Sequence, residues 1–215
     1  MEFWILFITF GILFLGELGE KTQLIVFNLA LEYDKAYKVG VGATLGFAVI
    51  VSIGVLFGVV ITKFIPLSII TIVSGIVFVI IGLLDARNLK ELYLKRKEFK
   101  ANKKSNNSKN NIEVDVGIES PKKLTKIRKN PYLAGFLFIF LMELGDKTQI
   151  LTITLSSIYP HTFEVWLGSF LALISLAWMG VFIGTVIAHK IPKFHLKLIS
   201  VSIFVFIGVF ILITV

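Results

Sequence analysis

Cysteine is absent from this chain, and charged residues are scarce. Without any cysteine among its 215 residues, the chain forms no disulfide, no thiolate metal site and no dithiol redox centre. Charged residues make up 17% and hydrophobic residues 56% of the sequence, whereas about a quarter of a soluble domain is charged. The N-terminus also lacks the basic region and cleavage site of a signal peptide. Together with a mean hydropathy of +0.86, these absences predict an integral protein of the lipid bilayer.

Six apolar segments reach the roughly 20 residues that a helix needs to cross a bilayer. They cover, approximately, residues 3–31, 39–62, 64–84, 132–159, 165–188 and 194–215. The first and fourth are longer than a straight crossing requires, and each has a glycine near its middle, Gly19 or Gly145. We expect a kink or an unwound turn at both glycines. The sequence therefore predicts an all-α membrane protein with six transmembrane helices.

A basic stretch, residues 87–130, separates two three-span halves, residues 1–86 and 131–215. It holds 14 of the 22 Lys and Arg residues in Lys-, Asn- and Ser-rich runs, which predict a largely disordered loop. Such positive charge beside membrane spans is typical of a cytoplasmic loop near anionic headgroups, so no nucleic-acid partner is expected. Both termini are then extracytoplasmic. No signal in the sequence indicates an oligomeric state.

The charge within the apolar spans is concentrated in two copies of one heptapeptide. Glu-Leu-Gly-Glu-Lys-Thr-Gln occupies residues 17–23, and Glu-Leu-Gly-Asp-Lys-Thr-Gln occupies residues 143–149, 126 positions later. Each ionisable group at membrane depth costs about 2.5–3.5 kcal/mol on insertion. Two matching copies of so costly a feature indicate that the charges hold and move a cation.

The offset of 126 extends well beyond the two motifs. Without gaps it also maps Gly42 onto Gly168, Gly54 onto Gly180, Ser74 onto Ser200 and Gly82 onto Gly208. The halves are therefore copies of one unit, and a unit with three spans must enter the membrane in the opposite orientation the second time. Such an inverted repeat predicts alternating-access transport, with a site near the midplane where the repeats meet.

Oxygen donors dominate both motifs and define the cation expected there. On a continuous helix, residues three and four apart share a face, so the acids and the lysine of each motif should project together. Carboxylate, amide and hydroxyl oxygens suit hard cations such as Ca²⁺, Mg²⁺ and Mn²⁺ better than Zn²⁺, Cu⁺ or Ni²⁺. The predicted metal ligands are Glu17, Glu20, Gln23, Glu143, Asp146 and Gln149. The predicted supporting or gating residues are Lys21, Thr22, Asn28, Lys147, Thr148 and Thr154.

The charge balance of the motifs suggests a coupled exchange. Four carboxylates and two ammonium groups leave a net charge of −2, which one divalent cation neutralises. Because the carboxylates can also bind protons when the metal leaves, the hypothesis is one divalent cation for two protons. The lysines either hold the carboxylates while the site is empty or form simple i,i+4 ion pairs, Glu17–Lys21 and Glu143–Lys147.

Both motifs resemble the Glu-x-Gly-Asp-Lys/Arg-Ser/Thr pattern of a family of cation–proton exchangers, found among yeast and human Golgi proteins and bacterial manganese exporters. The resemblance covers both halves but not the basic stretch, and it implies export of Mn²⁺ and/or Ca²⁺ from the cytosol against protons. The family's acids correspond to Glu17, Glu20, Glu143 and Asp146. The chain departs from the pattern at Glu20, where the family has Asp, and the longer side chain bears on which metal is preferred.

Two other functions stay open at this level. An exporter of a cationic organic solute, such as a basic amino acid, would use the acids as an ammonium site, and a membrane scaffold would recruit partners through the basic stretch. An enzyme is not expected, because the sequence has no nucleophile–base set or cofactor motif, and no prosthetic group is expected either. The Lys-, Ile- and Asn-rich composition favours a prokaryotic plasma membrane.

Overall fold

The computed structural model describes residues 3–33, 35–105, 130–190 and 193–214, and all regular structure in these ranges is α-helical. The helices are α1 (Phe3–Glu17), α2 (Lys21–Leu31), α3 (Ala36–Phe64), α4 (Leu67–Ser105), α5 (Pro131–Glu143), α6 (Lys147–Ile158), α7 (Thr162–Lys190) and α8 (Lys193–Thr214). The prediction of an all-α protein is confirmed for this part of the chain. The predicted disorder of the basic stretch falls largely on residues 106–129, which lie outside the described residues, as do both termini.

Several helices have the length and apolar surface of membrane spans. In the described ranges, the segments Ala36–Phe64, Leu67–Arg87 and Thr162–Phe182 are long and apolar enough to cross a bilayer. Shorter apolar helices cover Phe3–Glu17, Pro131–Glu143 and Val201–Ile213. Large apolar side chains point outward from the bundle, among them Phe182, Phe206 and Ile213, which are 70–78% exposed. A surface of this kind is suited to lipid, and the protein is an integral membrane protein.

A turn divides each of the two long predicted spans. α1 ends at Glu17 and α5 ends at Glu143, and the chain resumes as helix only at the lysine of each motif. The glycine of each turn has a positive φ, 83° at Gly19 and 81° at Gly145, a conformation that costs other residues about 1–2 kcal/mol. The predicted unwound turns are confirmed. The predicted continuous helical face through each motif is wrong, because the left-handed glycine ends one helix and redirects the next.

The two halves pack chiefly on each other. The first helix of each half lies against the long third helix of the other, α1 on α7 and α5 on α3. The second helices follow the same rule, α2 on α7 and α6 on α3, and α4 runs along α8. Because partners are exchanged in this way, the two motif turns meet across the interface between the halves.

Two glycines let the long helices approach the motifs closely. A Cβ atom added to Gly54 on α3 would lie 3.0 Å from Thr152 Cβ and 3.6 Å from the Gln149 carbonyl oxygen. A Cβ atom added to Gly180 on α7 would lie 2.8 Å from the Gln23 carbonyl oxygen. The offset of 126 relates Gly54 to Gly180 and Gln23 to Gln149. Each duplicated glycine therefore makes the equivalent contact with the opposite half.

Candidate cation site

A small cavity lies between the two motifs. Its walls include Glu17 and Glu143, the first residue of each motif, whose exposed fractions are 8% and 1%. Its volume of about 10 Å³ is close to the space that one water molecule needs. The rest of the wall consists of two first-motif side chains and apolar residues of α3 and α7, namely Thr22, Gln23, Phe47, Leu173, Leu176 and Ala177. Two carboxylates from different halves thus share one buried space.

Threonine hydroxyls link each motif to the glutamate of the other. Thr22 Oγ1 donates a hydrogen bond of 2.5 Å to Glu143 Oε1. The buried Thr148 side chain interacts with both Glu17 and Glu143. Among the described residues, Glu17 Oε1 and Glu143 Oε2 are buried without a hydrogen-bond partner. Buried carboxylate oxygens are normally satisfied. Glu17 Oε1 forms an ion pair of 3.6 Å with the Lys147 ammonium, whereas Glu143 Oε2 retains the capacity to bind a cation or a proton.

The Lys147 side chain crosses from α6 to the first motif. Its ammonium donates to the Gly16 carbonyl oxygen at 2.8 Å and to Glu20 Oε1 at 3.2 Å, and it lies 3.6 Å from Glu17 Oε1. The idea of an i,i+4 pair between Glu143 and Lys147 loses its basis, since α5 ends at Glu143 and the glycine turn directs the lysine toward α1. The side chain of Lys21 lies outside the described part of the chain.

Asp85 on α4 is a third acid at the same ammonium and is absent from the predicted set. Its Oδ2 atom lies 3.4 Å from Lys147 Nζ, and the residue is buried. The repeat conceals it, because the offset of 126 places Ile211 at the equivalent position. A usable signal exists all the same: Asp85 is a lone acid directly after the third apolar segment, before the basic stretch begins.

The remaining turn residues stabilise the turns themselves. Gly19 N donates to Gln23 Oε1 at 3.3 Å, and Gly145 N donates to Gln149 Oε1 at 2.6 Å. Asp146 is exposed, and its carboxylate accepts a 2.7 Å hydrogen bond from the backbone N–H that begins α6. Both glutamine oxygens and this acid are therefore engaged locally.

Asn28 and Thr154 are not brought to the motifs. Asn28 is exposed on α2, and Thr154 lines a separate cavity of about 230 Å³ with Ser74 and Ser157. Within the described ranges, no three Asp, Glu, His or Cys side chains converge as ligands for one ion. The structure instead joins Glu17 to Glu143 in one cavity and places Glu20 at Lys147.

Paired helix breaks that present acids to each other inside a membrane bundle are typical of the ion sites of secondary transporters. The family model described as the divalent cation/proton antiporter GDT1 matches residues 5–91 and 131–215, which are nearly the whole of both halves. The chain belongs to the GDT1 family, as the motif resemblance implied. It is therefore a transporter that exchanges cations, and not an enzyme.

Curated relatives are similar to the chain over most of their length. A GDT1-like protein of Schizosaccharomyces pombe is 24% identical over 220 aligned residues, covering 90% of this chain and 83% of the relative. A GDT1-like protein of Synechocystis is 29% identical over 191 residues, covering 86% and 85% of the two chains. No solved structure matches the chain.

Proposed function

We propose that the protein exports Mn²⁺ or Ca²⁺ from the cytoplasm in exchange for protons, by alternating access between two inverted three-helix repeats. The observation that carries the proposal is the cavity that Glu17 and Glu143 share. In it, Glu143 Oε2 has no hydrogen-bond partner among the described residues, and Glu17 Oε1 is held by the Lys147 ammonium at 3.6 Å. A hard divalent cation needs such oxygens, and the hydroxyls of Thr22 and Thr148 complete an all-oxygen environment.

The other predicted ligands take part in this proposal at different stages. Glu20 forms an ion pair with the Lys147 ammonium, which occupies the position at which Glu20 would attract an arriving cation. Asp146 is exposed, so it is suited to bind the cation before the buried acids do when the cation enters from the side of the second turn. Gln23 and Gln149 keep a second lone pair on the oxygen that accepts from the turn glycine, so they can ligate without leaving the turn.

Three features support the inverted repeat. The halves share the gapless offset of 126, exchange helix partners in equivalent pairs, and make equivalent glycine contacts at Gly54 and Gly180. If the two halves exchange conformations, the shared cavity opens first to one side of the membrane and then to the other. The basic stretch is placed in the cytoplasm, and the membrane is a prokaryotic plasma membrane, on the charge and composition of the sequence.

One observation favours the second candidate, an exporter of a cationic organic solute. The Lys147 ammonium lies among acids and 5.4 Å from the centre of the Phe204 ring, as an alkylammonium substrate would. The metal is the better substrate, because a cavity of about 10 Å³ admits one small ion and not an amino acid.

Flux through proteoliposomes tests the proposal. Mn²⁺ and Ca²⁺ movement is recorded with a pH-sensitive dye inside, for the wild type, for Glu143→Gln and for Glu32→Gln as a control at an exposed acid. The expected result is metal flux with opposite proton movement, lost only in Glu143→Gln. Lysine or arginine flux without metal flux would establish the second candidate instead.

A further inference from the structure

Asp85 breaks the symmetry of the halves at the point where they are ionically joined. Lys147 Nζ lies 3.4 Å from Asp85 Oδ2, and the offset of 126 puts Ile211 in the equivalent place on α8. The aromatic ring near the same ammonium is duplicated, since Phe204 is equivalent to Phe78 and both are fully buried. The apolar side of this lysine pocket is thus present in both halves, whereas its third acid is present in one.

The two motif turns also differ in exposure, and the less exposed turn is the one in the half that contains Asp85. Residues 18–20 of the first turn are partly buried, whereas residues 144–146 of the second turn are all exposed. A Cβ atom added to Gly145 would meet no atom within 4 Å. The covered turn is the one that Lys147 reaches from the other half, so the asymmetric acid lies on the covered side.

The geometry points to Asp85 as a positioning residue that holds Lys147 against the first motif and favours the state in which that motif is covered. An ammonium has three N–H donors, and here they face the Gly16 carbonyl oxygen, Glu20 and Asp85. In the opposite state the equivalent position is occupied by Ile211, whose aliphatic side chain has no acceptor atom for a lysine ammonium. That state therefore lacks one charge-assisted contact. This role rests on the proposed alternating access.

Single-cysteine labelling measures the balance of the two states directly, because the natural sequence has no cysteine. Leu18→Cys and Leu144→Cys are equivalent positions on the two turns, and each is labelled with a hydrophilic maleimide in nanodiscs, where both faces are accessible. Rates are divided by the rate for the same variant after denaturation. With Asp85 present, the residue at 144 should react faster than the residue at 18.

Removal of the acid should shift this ratio. Asp85→Asn keeps an acceptor oxygen but removes the negative charge, so the charge-assisted part of the contact with Lys147 is lost and the 144-to-18 ratio should fall severalfold. Asp85→Glu, which keeps the charge, should restore most of it. An unchanged ratio in a folded Asp85→Asn protein would overturn the inference.

The mirror variant keeps the test decisive if Asp85→Asn fails to fold. Ile211→Asp supplies the missing acid in the second half and should lower the same ratio, whereas Ile211→Asn controls for polarity and size. A ratio equal in Ile211→Asp and Ile211→Asn would refute the role of Asp85. Since labelling needs no transport, a shift of the ratio in a protein that moves no metal would overturn the exchange proposal alone.

Discussion

The two acidic turns have nearly the same sequence and the same backbone, yet their carboxylates do different things. Both turns carry a left-handed glycine, and in both a glutamine oxygen accepts from the glycine N–H. In the first turn, Glu20 begins α2 without a side-chain capping bond and binds Lys147 of the other half. In the second turn, Asp146 caps its own helix. The local sequence sets the turn, and the two acids, which differ in length by one methylene, direct their charges to different partners.

This difference gives physical meaning to the departure from the family pattern at Glu20. Aspartate is among the best N-cap residues because its short side chain reaches the first free N–H groups of the helix. Glutamate is one methylene longer, and here it spans the interface to Lys147 instead. The turn with Glu is therefore joined to the opposite half, while the turn with Asp remains exposed.

The largest expected effect comes from removing the acids that the two turns share. Glu17→Gln and Glu143→Gln should each lower Mn²⁺ flux at least about 100-fold, since each leaves one carboxylate in a cavity made for two. The double variant should be no worse than either single variant, because one joint site is already lost. Flux in proteoliposomes checks this, with Glu32→Gln as the matched control.

Residual binding would contradict a joint site. If isothermal titration finds half of the wild-type Mn²⁺ stoichiometry in each single variant and none in the double variant, the turns bind separate ions. Each turn would then be a separate binding site, and the two sites would differ in their surroundings.

A tenfold effect is expected from the hydroxyls that cross between the turns. Thr22→Val keeps the shape but removes the donor to Glu143 Oε1, and a hydrogen bond to a charged group contributes about 1.5–3 kcal/mol. Apparent Mn²⁺ affinity should fall about tenfold or more, and Thr22→Ser should retain it. Titration of flux against Mn²⁺ concentration measures the change. Equal affinities for Thr22→Val and the wild type would show that the hydroxyl does not position the carboxylate.

Much of the fold was open to prediction because its causes are local. Long apolar segments, the glycines at positions 19 and 145 and the offset of 126 are all visible in the sequence. The prediction of a shared helical face was wrong because it assumed an unbroken helix. The positive φ at Gly19 directs Glu20 away from the helix that contains Glu17. Hydropathy locates a break but does not give its direction.

The candidate site was predictable only in its duplicated part. Glu17, Glu143 and the two threonines come from the repeat, and the structure places them together. The destination of Lys147 and the presence of Asp85 depend on how α4 and α6 pack, and the repeat gives no guide to an acid that occurs once. A search for lone acids at the ends of apolar segments, and not only inside them, would have found Asp85.

A smaller effect, on stability, should come from the turn glycines. Gly145→Ala meets no steric obstacle, so its cost is the left-handed backbone alone, about 1–2 kcal/mol. We expect a loss of a few degrees in the thermal unfolding midpoint, roughly 2–4 °C per kcal/mol. Gly145→Asn should lose less, because Asn tolerates this conformation better. An Ala variant as stable as the wild type would mean that the turn relaxes without glycine.

The smallest effect is expected from the segment that joins the halves. Deleting residues 106–117 removes part of the basic stretch, which the family match leaves out from residue 92 to residue 130. The twelve residues that stay, 118–129, reach about 40 Å when extended. We attribute exchange to contacts between the turns, so Mn²⁺ flux should stay within about twofold of the wild type. A twofold change is well below the tenfold change in rate that about 1.4 kcal/mol produces. A scaffold that acts through its basic stretch would lose its function in this variant. If a correctly folded deletion variant shows no Mn²⁺ flux, the basic stretch, and not only the turns, is required for transport.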